Sequence, residues 1–564
     1  MRPTSVCRIT LEASLLGLIR QAVAELPSPG GSGGPPLIAL EIPKIRAHGD
    51  LATSAALQLA SRLHRPPLEI AESLADRLRE LLKASPLRES IERVEVKPPG
   101  FVNLFLSRAF LIGVLREVLR SGPRYGRSLL GSGKKAHLEF VSANPTGPLS
   151  VAHGRQAAVG DALANLLDFA GYRVTREYYV NDEGTQIDLL GASILARARE
   201  SRGQPAEFPE NGYKGQYVRQ LGEAFAKRYG GRIGSAQARD LARAFGVREL
   251  LKVIQEDLAR FGVRFDSWFF QGRLNRFRYL KRSLDLLKRR GFLYESEGAW
   301  WLRSTAFGDD KDRVVIRSDG RHTYVAADIA YHRRKFERGF DLLVNLWGPD
   351  HHGYIPRLKA AVQALGFKPE SLSIRIVQLC TLKRGAETIP MSTREGEFIT
   401  LSQVIEEVGR DAGRFFFLLR KTDAHLEFDL QLAKQQSLEN PVYYIQYAHA
   451  RISSILAYRR KQGVEGRGSG MDDELLKAPE ELKIIRLLRE FPGVVEMSAK
   501  SLEPFGVVSY LQELAEAFHR FYDAHRVVSD SPGLTAARLN LVQAVRTVLA
   551  TGLRLLGVSA PEKM

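Results

Sequence analysis

The sequence predicts an α/β protein, with a parallel sheet in its middle, an α+β domain before it and an all-α helical bundle after it. Two strand–loop–helix–strand units predict the sheet. The first is HLEFV, a polar loop, a helix ending at Gly171 and YRVTREYYV (172–180). The second is DLLVNLW (341–347), GPDHHG, a helix over 354–366 and SIRIVQL (373–379). Apolar strands joined through helices belong to parallel sheets covered on both faces, the Rossmann-like arrangement. Strand patterns nearly vanish after about 405, which predicts the bundle.

At 564 residues the chain is too long for one core and implies about three domains. A content of 44% hydrophobic and 26% charged residues is ordinary for globular chains and excludes wholesale disorder. The sequence has no run of about 18 apolar residues and no signal-peptide layout, so a cytoplasmic protein without membrane contact is expected. Cys7 and Cys380 lie far apart in sequence. That spacing suits a reducing compartment and offers no cysteine zinc site.

In chain order, the opening stretch to about residue 25 reads as a helix and PSPGGSGGPP (27–36) as a loop. IAESLADRLRELLKA (70–84) reads as a helix, and IERVEVK (91–97) and GFVNLFLS (100–107) as strands, giving an α+β domain over 1–110. Residues 111–405 carry the sheet, broken at about 181–300 by helical segments that read as an insertion. Residues 406–564 form the bundle, in which Leu511, Leu514, Phe518 and Phe521 make one apolar stripe.

Three loops carry the chemistry. SANPTGPLSVAHGR (142–155) joins a strand to a helix, where ligands of open parallel sheets bind. A helix start offers unpaired N–H groups and partial positive charge to a phosphate chain. Gly147 and Gly154 would permit close backbone approach, Pro145 and Pro148 stiffen the turn, and Ser150 and His153 can donate to phosphate or ribose oxygens. A capping turn whose histidine only satisfies backbone groups is the plainer alternative. The spacing is neither GxGxxG nor GxxxxGK[ST], so dinucleotide and P-loop readings fail. GPDHHG (348–353) lies at an equivalent strand end; Asp350, His351 and His352 read as a polar wall for nucleotide or substrate, since adjacent residues rarely converge on one metal ion. IPMSTREGEFITL (389–401) is a polar loop with Ser392, Thr393 and Arg394.

The formal charge of +18 favours a polyanionic partner such as nucleic acid. It is concentrated: QGRLNRFRYLKRSLDLLKRRG (271–291) holds eight Lys/Arg against the single acid Asp285. Phe277, Leu280, Leu284 and Leu287 predict a buried stripe behind that basic face, and a merely solvated face is the alternative. Residues 440–564 hold 16 Lys/Arg and 14 Asp/Glu. That end would have to bind nucleic acid through shape and specific contacts.

Taken together, these segments resemble the class I aminoacyl-tRNA synthetases, specifically the arginyl-tRNA synthetase family. EFVSANPTGPLSVAHGRQAAVGD resembles the nucleotide-binding region, which normally ends His-x-Gly-His, and REYYVNDEGTQI the segment after it. IRSDGRHTYVAADIAYH with LWGPDHHGYIPRLKAA resembles the amino-acid site, and PMSTREGEFITL falls where Lys-Met-Ser-Lys belongs. YYIQYAHARISSIL opens what resembles the anticodon-binding domain, and GVSAPEKM the family's C-terminal ending. The resemblance spans the whole chain, including an N-terminal domain that in this family contacts the tRNA elbow.

The resemblance implies ATP-dependent attachment of L-arginine to its tRNA through an arginyl-adenylate, by a monomer, with Mg²⁺ carried on ATP and no zinc. It assigns His153, Ser150 and Arg394 to catalysis. Pro148, Ser150, His153, Gly154, Asp350, His351, Met391 and Ser392 would bind ATP. Glu139, Ser142, Asn144, Tyr324, Asp328 and His352 would bind arginine, and Tyr447, Arg451 and Met564 would bind tRNA. A buried guanidinium wants a carboxylate and an aromatic face, and Tyr324 and Asp328 stand four apart on one helical face. Tyr447 and Arg451, also four apart, suit splayed anticodon bases, with core packing as the alternative for Tyr447.

The chain departs from the family pattern at Ser150 and Ala152 in the first motif, and at Pro390 and Thr393 in the second. Arg394 stands beside the missing lysine. These departures define a second reading: a synthetase-like paralogue that binds tRNA or nucleotide without charging.

Overall fold

The computed structural model describes residues 6–26, 38–389, 398–461 and 471–564. Its centre is a five-stranded sheet in the order Leu372–Ile376, Leu342–Trp347, Lys135–Glu139, Arg173–Val180, Ser267–Phe270. Every pairing in it is parallel. The first strand in sequence lies in the middle, with the second on one side and the fourth on the other. Chain order therefore reverses at the Lys135–Glu139/Leu342–Trp347 boundary, where Glu139 pairs in register with Asn345. A crevice opens outside the strand ends at such a reversal.

Before the sheet, Leu51–Thr53, Phe101–Leu106 and Ile91–Lys97 form an antiparallel sheet packed on helices Ala55–Leu63 and Pro67–Lys83. Pro67 opens its helix at the first position, where a missing N–H costs nothing. After the sheet come helices Pro441–Lys461, Pro479–Ser501, Phe505–Ala524 and Pro532–Leu555, whose core includes Leu511, Leu514, Phe518 and Phe521 without solvent exposure.

Three expectations need correction. The 181–300 stretch holds helices Thr185–Glu200, Gln216–Tyr229 and Ala238–Arg260, but it also supplies Ser267–Phe270 to the central sheet. The strands Leu293–Ser296 and Ala299–Leu302 lie in it too and pair with Arg313–Ile316 in a small antiparallel sheet. Second, Leu426–Asp429 pairs parallel with Cys380–Arg384, so the chain past 405 still packs with the sheet domain. Third, Phe277 is 50% exposed while Leu280, Leu284 and Leu287 are buried. The helix expected over this segment breaks at Arg278, which takes a left-handed φ of 55° between helices Gly272–Arg276 and Tyr279–Arg289. The break rotates Phe277 off the apolar stripe.

Helix Val151–Phe169 joins the parts. It is buried along most of its length and touches the strand Arg173–Val180, the helix Arg410–Phe417 and the bundle helices. Midway along it, Asp161 accepts from Arg414 Nη2 at 2.6 Å and Arg176 Nε at 3.2 Å. Arg414 is fully buried and also donates to the carbonyls of Phe261 and Leu556. Asp161→Asn would leave that guanidinium without its counter-charge. The expected cost is about 3 kcal/mol, read as a lower urea midpoint.

Candidate active site

The crevice is floored by the end of strand Lys135–Glu139. The chain leaves it through Val141 at φ 66° and Ser142 at φ 40°. Successive left-handed non-glycine residues, one of them β-branched, mark a turn held by its surroundings. Ser142 Oγ donates to Glu139 Oε1 at 3.2 Å and accepts from the Tyr179 N–H at 3.1 Å. That hydroxyl donates and accepts at once, which holds Glu139 against the neighbouring strand.

The turn ends at Ser150, the cap of helix Val151–Phe169. His153 Nδ1 accepts from the Ser150 N–H at 3.1 Å, with Ser150 Oγ also 3.1 Å away. Burial pulls the imidazole pKa down to about 4, so the ring is neutral. With Nδ1 as acceptor, the proton sits on Nε2, which is left as a donor. The capping role and the donor role thus coexist in one ring. Gly154 differs from its expected role: a Cβ there would lie 2.8 Å from Leu401 Cδ1 and 3.1 Å from Phe417 Cε2. It is a packing glycine, and its N–H is spent on the Ser150 carbonyl. Gly147 likewise makes room for Tyr217, whose hydroxyl donates to the Thr146 carbonyl at 2.8 Å. Pro148 is half-buried in this turn.

Next to Gly154, Arg155 is fully buried, and burial lowers its pKa. Its guanidinium donates to the carbonyls of Gln378 at 2.7 Å, Leu379 at 3.2 Å and Lys421 at 3.0 Å. Gln378 and Leu379 begin the arm that runs through Cys380–Arg384 toward residue 390. The chain returns beside the same turn: the Leu401 N–H donates to the Leu149 carbonyl at 2.8 Å, and Ser150 bridges Thr400. Pro390, Met391, Ser392, Thr393 and Arg394 lie outside the described residues, but both ends of their loop are fastened to the first motif.

The other wall is aromatic and acidic. Tyr179 packs 4.6 Å from Tyr331 and 6.1 Å from Phe269, and its hydroxyl donates to Gln271 Oε1 at 2.9 Å. Burial, together with Asp328, Glu139, Asp182 and Glu183, pushes its pKa well above the usual value. Such a concentration of carboxylates around a ring favours a ligand with cationic groups. Asp328, on helix Tyr324–Glu337, accepts from the Tyr354 hydroxyl at 2.6 Å. Burial raises the Asp328 pKa to about 6 despite that hydrogen bond.

Beneath the wall a polar chain is satisfied link by link. His332 Nδ1–H donates to the Asp328 carbonyl at 2.9 Å and Nε2 accepts from Asn345 Nδ2 at 2.8 Å. Lys335, fully buried, donates to Asn345 Oδ1 at 2.9 Å and to Glu139 Oε2. A buried ammonium needs such partners, and here they fix the orientation of Glu139.

The structure brings Glu139, Ser142 and Asp328 together. It leaves Tyr324 71% exposed at the start of its helix, hydrogen-bonds Asn144 Nδ2 to Gln186 Oε1 at 2.7 Å, and leaves Asp350, His351 and His352 exposed. Tyr324 shares a helical face with Asp328 but has no aromatic packing beside it among the described residues. His351 Nε2 stands 3.3 Å from Asp350 Oδ2. A Cβ at Gly348 would meet Asp350 Oδ1 at 2.6 Å and Gln156 Nε2 of helix Val151–Phe169 at 3.8 Å, which sets the two loops side by side. Tyr354, Tyr179, Tyr331, Gln271 and Lys335 were not singled out from sequence, although Lys335 stands seven residues after Asp328 on the same helix. Among the described residues, no group of three or more His, Cys, Asp or Glu could hold a metal ion.

In the bundle, Tyr447 stacks on Tyr443 and on His519, each at 6.0 Å, and Arg451 lies 4.2 Å over Tyr522 and 5.2 Å over Tyr447. His449 donates to the Pro561 carbonyl at 2.7 Å, which straps the chain end to this helix; Met564 beyond it is 53% exposed.

Comparison with known proteins gives this architecture a class. Residues 115–428 match the family described as tRNA synthetases class I (R), catalytic domain. Residues 13–106 match the arginyl tRNA synthetase N terminal domain, and 445–564 the DALR anticodon binding domain. The fold is that of class I aminoacyl-tRNA synthetases. An arginine–tRNA ligase from Syntrophotalea carbinolica is 49% identical over 94% of this chain and 96% of its own. One from Geobacillus kaustophilus is 45% identical over 94% and 95%. The solved arginyl-tRNA synthetase of Thermus thermophilus shares the fold at a TM-score of 0.78 and 23% identity, over 98% of this chain and 100% of that one. The chain belongs to the arginyl-tRNA synthetase family, and it charges tRNA with L-arginine at the expense of ATP. Nothing in the comparisons supports the non-charging reading.

Arg155, just past the Ser142–Gly154 turn, ties that turn to the arm of the second loop through the Gln378 and Leu379 carbonyls, so its loss should misplace both loops without disturbing Asp328 or Glu139. Arg155→Met is expected to lower kcat on the order of 100-fold, with the KM for arginine changed less than about twofold. Steady-state arginylation kinetics measure both.

Proposed function

We propose that the crevice works in two steps, with the roles divided between its walls. The arginine carboxylate oxygen attacks the α-phosphorus of ATP and pyrophosphate leaves. A ribose hydroxyl of the tRNA 3′ end then attacks the arginyl carbonyl, and AMP leaves. Side chains do little covalent work in such a reaction; positioning and charge stabilisation carry it.

The His153 Nε2–H and the start of helix Val151–Phe169 face the phosphate groups, with Ser150 holding the imidazole in its donor tautomer. Pro148, Asp350 and His351 border the nucleotide. Asp328, held by Tyr354, receives the guanidinium, and Glu139, held by Lys335 and Ser142, receives the α-ammonium group. Tyr324, Asn144 and His352 stand at the mouth, where they close on bound arginine. Mg²⁺ enters as part of the ATP substrate. Tyr447 and Arg451, with Tyr443, His519 and Tyr522 beside them, take anticodon bases, and Met564 ends the strap next to them. The protein acts as a monomer in the cytoplasm; no helix among the described residues is long and apolar enough to cross a membrane.

The observation that carries this reading is the acidic, aromatic wall around Tyr179, with Asp328 and Glu139 on its inner side. A lysine substrate would offer a point charge in place of the planar fork and leave part of that wall unpaired.

Asp328 must be ionised to receive a guanidinium. Its pKa is raised to about 6 in the folded protein, so kcat/KM for arginine should be flat above pH 7 and fall as pH drops through about 6. The falling limb should approach tenfold per pH unit. Asp328→Asn is expected to raise the KM for arginine at least about 100-fold, the worth of a lost charged partner, and to change that for ATP far less. Its pH limb should disappear. Equal effects on both substrates would remove Asp328 from the arginine site.

A further inference from the structure

Behind the wall proposed to receive arginine lies a second buried carboxylate, for which the chemistry above has no use. Glu177, on strand Arg173–Val180, pairs in register with Glu139 on the neighbouring strand. Their side chains therefore leave the sheet on the same face. Parallel neighbours stand about 4.8 Å apart, and two carboxylates so placed in a buried layer suppress each other's ionisation unless each is compensated. Asn345 is in register with Glu139 on its other side, which completes a polar row across the sheet.

Helix Tyr324–Glu337 meets that row with a matching face. Asp328, Tyr331, Lys335 and the capping residue Arg338 follow one another at steps of three, four and three. Lys335 donates to Glu139 Oε2 and to Asn345 Oδ1. Arg338 Nη1 donates to Glu177 Oε2 at 2.7 Å, while the Tyr331 hydroxyl at 2.8 Å and His137 Nε2 at 3.0 Å donate to Glu177 Oε1. Burial lowers the His137 pKa, so that ring brings a hydrogen bond and no charge. Burial alone would raise the Glu177 pKa, but His137, Arg338 and Lys335 hold it well below the usual carboxylate range. Lys335 thus acts on Glu177 through space as well as on Glu139 by contact.

The two carboxylates are balanced one cation to each. Without Arg338, Glu177 would compete with Glu139 for Lys335 or for a proton. Either outcome takes from Glu139 the fixed negative charge that an α-ammonium group needs. Arg338 itself stands ten residues along the helix from Asp328, about 15 Å at the helical rise. It lies where Lys135 and Arg173 begin their strands, at the end of the sheet opposite the crevice. A cavity of about 280 Å³ lined by Lys135, Arg173, Thr175 and Phe340 adjoins it there.

We propose that Arg338 is a positioning residue for arginine binding: by neutralising Glu177 it keeps Lys335 committed to Glu139 and Glu139 charged toward the crevice. The inference rests on the reading of Glu139 as receiver of the α-ammonium group, and extends it to a residue the substrate never touches.

The test is steady-state arginylation by charge variants, with the KM for arginine and the KM for ATP measured separately. Arg338→Met is expected to raise the KM for arginine about tenfold, the worth of one weakened charged contact, with kcat and the KM for ATP within about twofold. Arg338→Lys keeps the charge, and Glu177→Gln/Arg338→Met removes both charges. Each is expected to return the KM for arginine to within about threefold of the wild-type value, the coupling that such a cycle reads. A purely structural role would leave the double variant at least as impaired as Arg338→Met. That result would overturn the proposal, as would an unchanged KM for arginine in Arg338→Met. The Arg338 side chain is 24% exposed, so its truncation opens to solvent rather than into the core. Should Arg338→Met fail to fold, Arg338→Gln, which keeps a hydrogen bond and loses the charge, carries the same comparison. The same loss and rescue in the KM for ATP instead would overturn the assignment of Glu139 to arginine and leave its coupling to Arg338 standing.

Discussion

The active site hangs on the burial of one helix. Val151–Phe169 begins at the central strand's end, passes under the sheet and continues against the C-terminal bundle. Because most of it is buried, its polar groups need partners inside the protein, and those pairings fasten the other parts of the molecule to it. Ser150 and His153 pair with each other and shape the donor turn. Arg155 pairs with carbonyls of the arm that carries the second loop. Asp161 pairs with Arg414 and, through it, with the start of the last helical segment's exit at Leu556. Moving this helix would therefore move the Ser142–Arg155 turn, the second loop's anchors and the anticodon domain together.

The same rule shapes the wall proposed to receive arginine. Lys335 and His332 are buried groups that act through others: one holds Glu139, the other links Asn345 to the Asp328 carbonyl one helical turn back. A carboxylate that must meet a cationic ligand is costly to leave loose in an empty site. Tying it to a buried ammonium on one oxygen leaves lone pairs on both oxygens for the ligand. Among the described residues the Asp328 carboxylate accepts only from the Tyr354 hydroxyl, and burial raises its pKa to about 6.

Much of this was legible in the sequence, for identifiable reasons. The sheet was readable because long apolar runs such as DLLVNLW lead into helices with a clear period. Ser267–Phe270 was not, being short, aromatic and preceded by three helices; only pairing with Tyr178 and its neighbours makes it a strand. Phe277 reads as part of the buried stripe because nothing local, neither Gly nor Pro, announces the break at Arg278. His153 could be read as a donor or as a cap, and the structure shows why spacing cannot separate them: the ring caps through one nitrogen and leaves the other free. Gly154 reads as a ligand contact because a glycine beside a phosphate turn suggests backbone approach, but its missing Cβ faces Leu401 and Phe417. Tyr354 follows the loop GPDHHG and gave no signal, since its partner Asp328 lies far away in sequence.

Ser150 and Ala152 stand where the family has histidine and glycine, and the second loop lacks its lysines. The turn built from these residues still activates arginine. ATP–pyrophosphate exchange, run with arginine, with lysine and with the other amino acids in turn, each with and without tRNA(Arg), tests it most directly. Exchange that requires arginine and tRNA together is the expected result. No exchange under any combination, or exchange driven by a different amino acid, would contradict it.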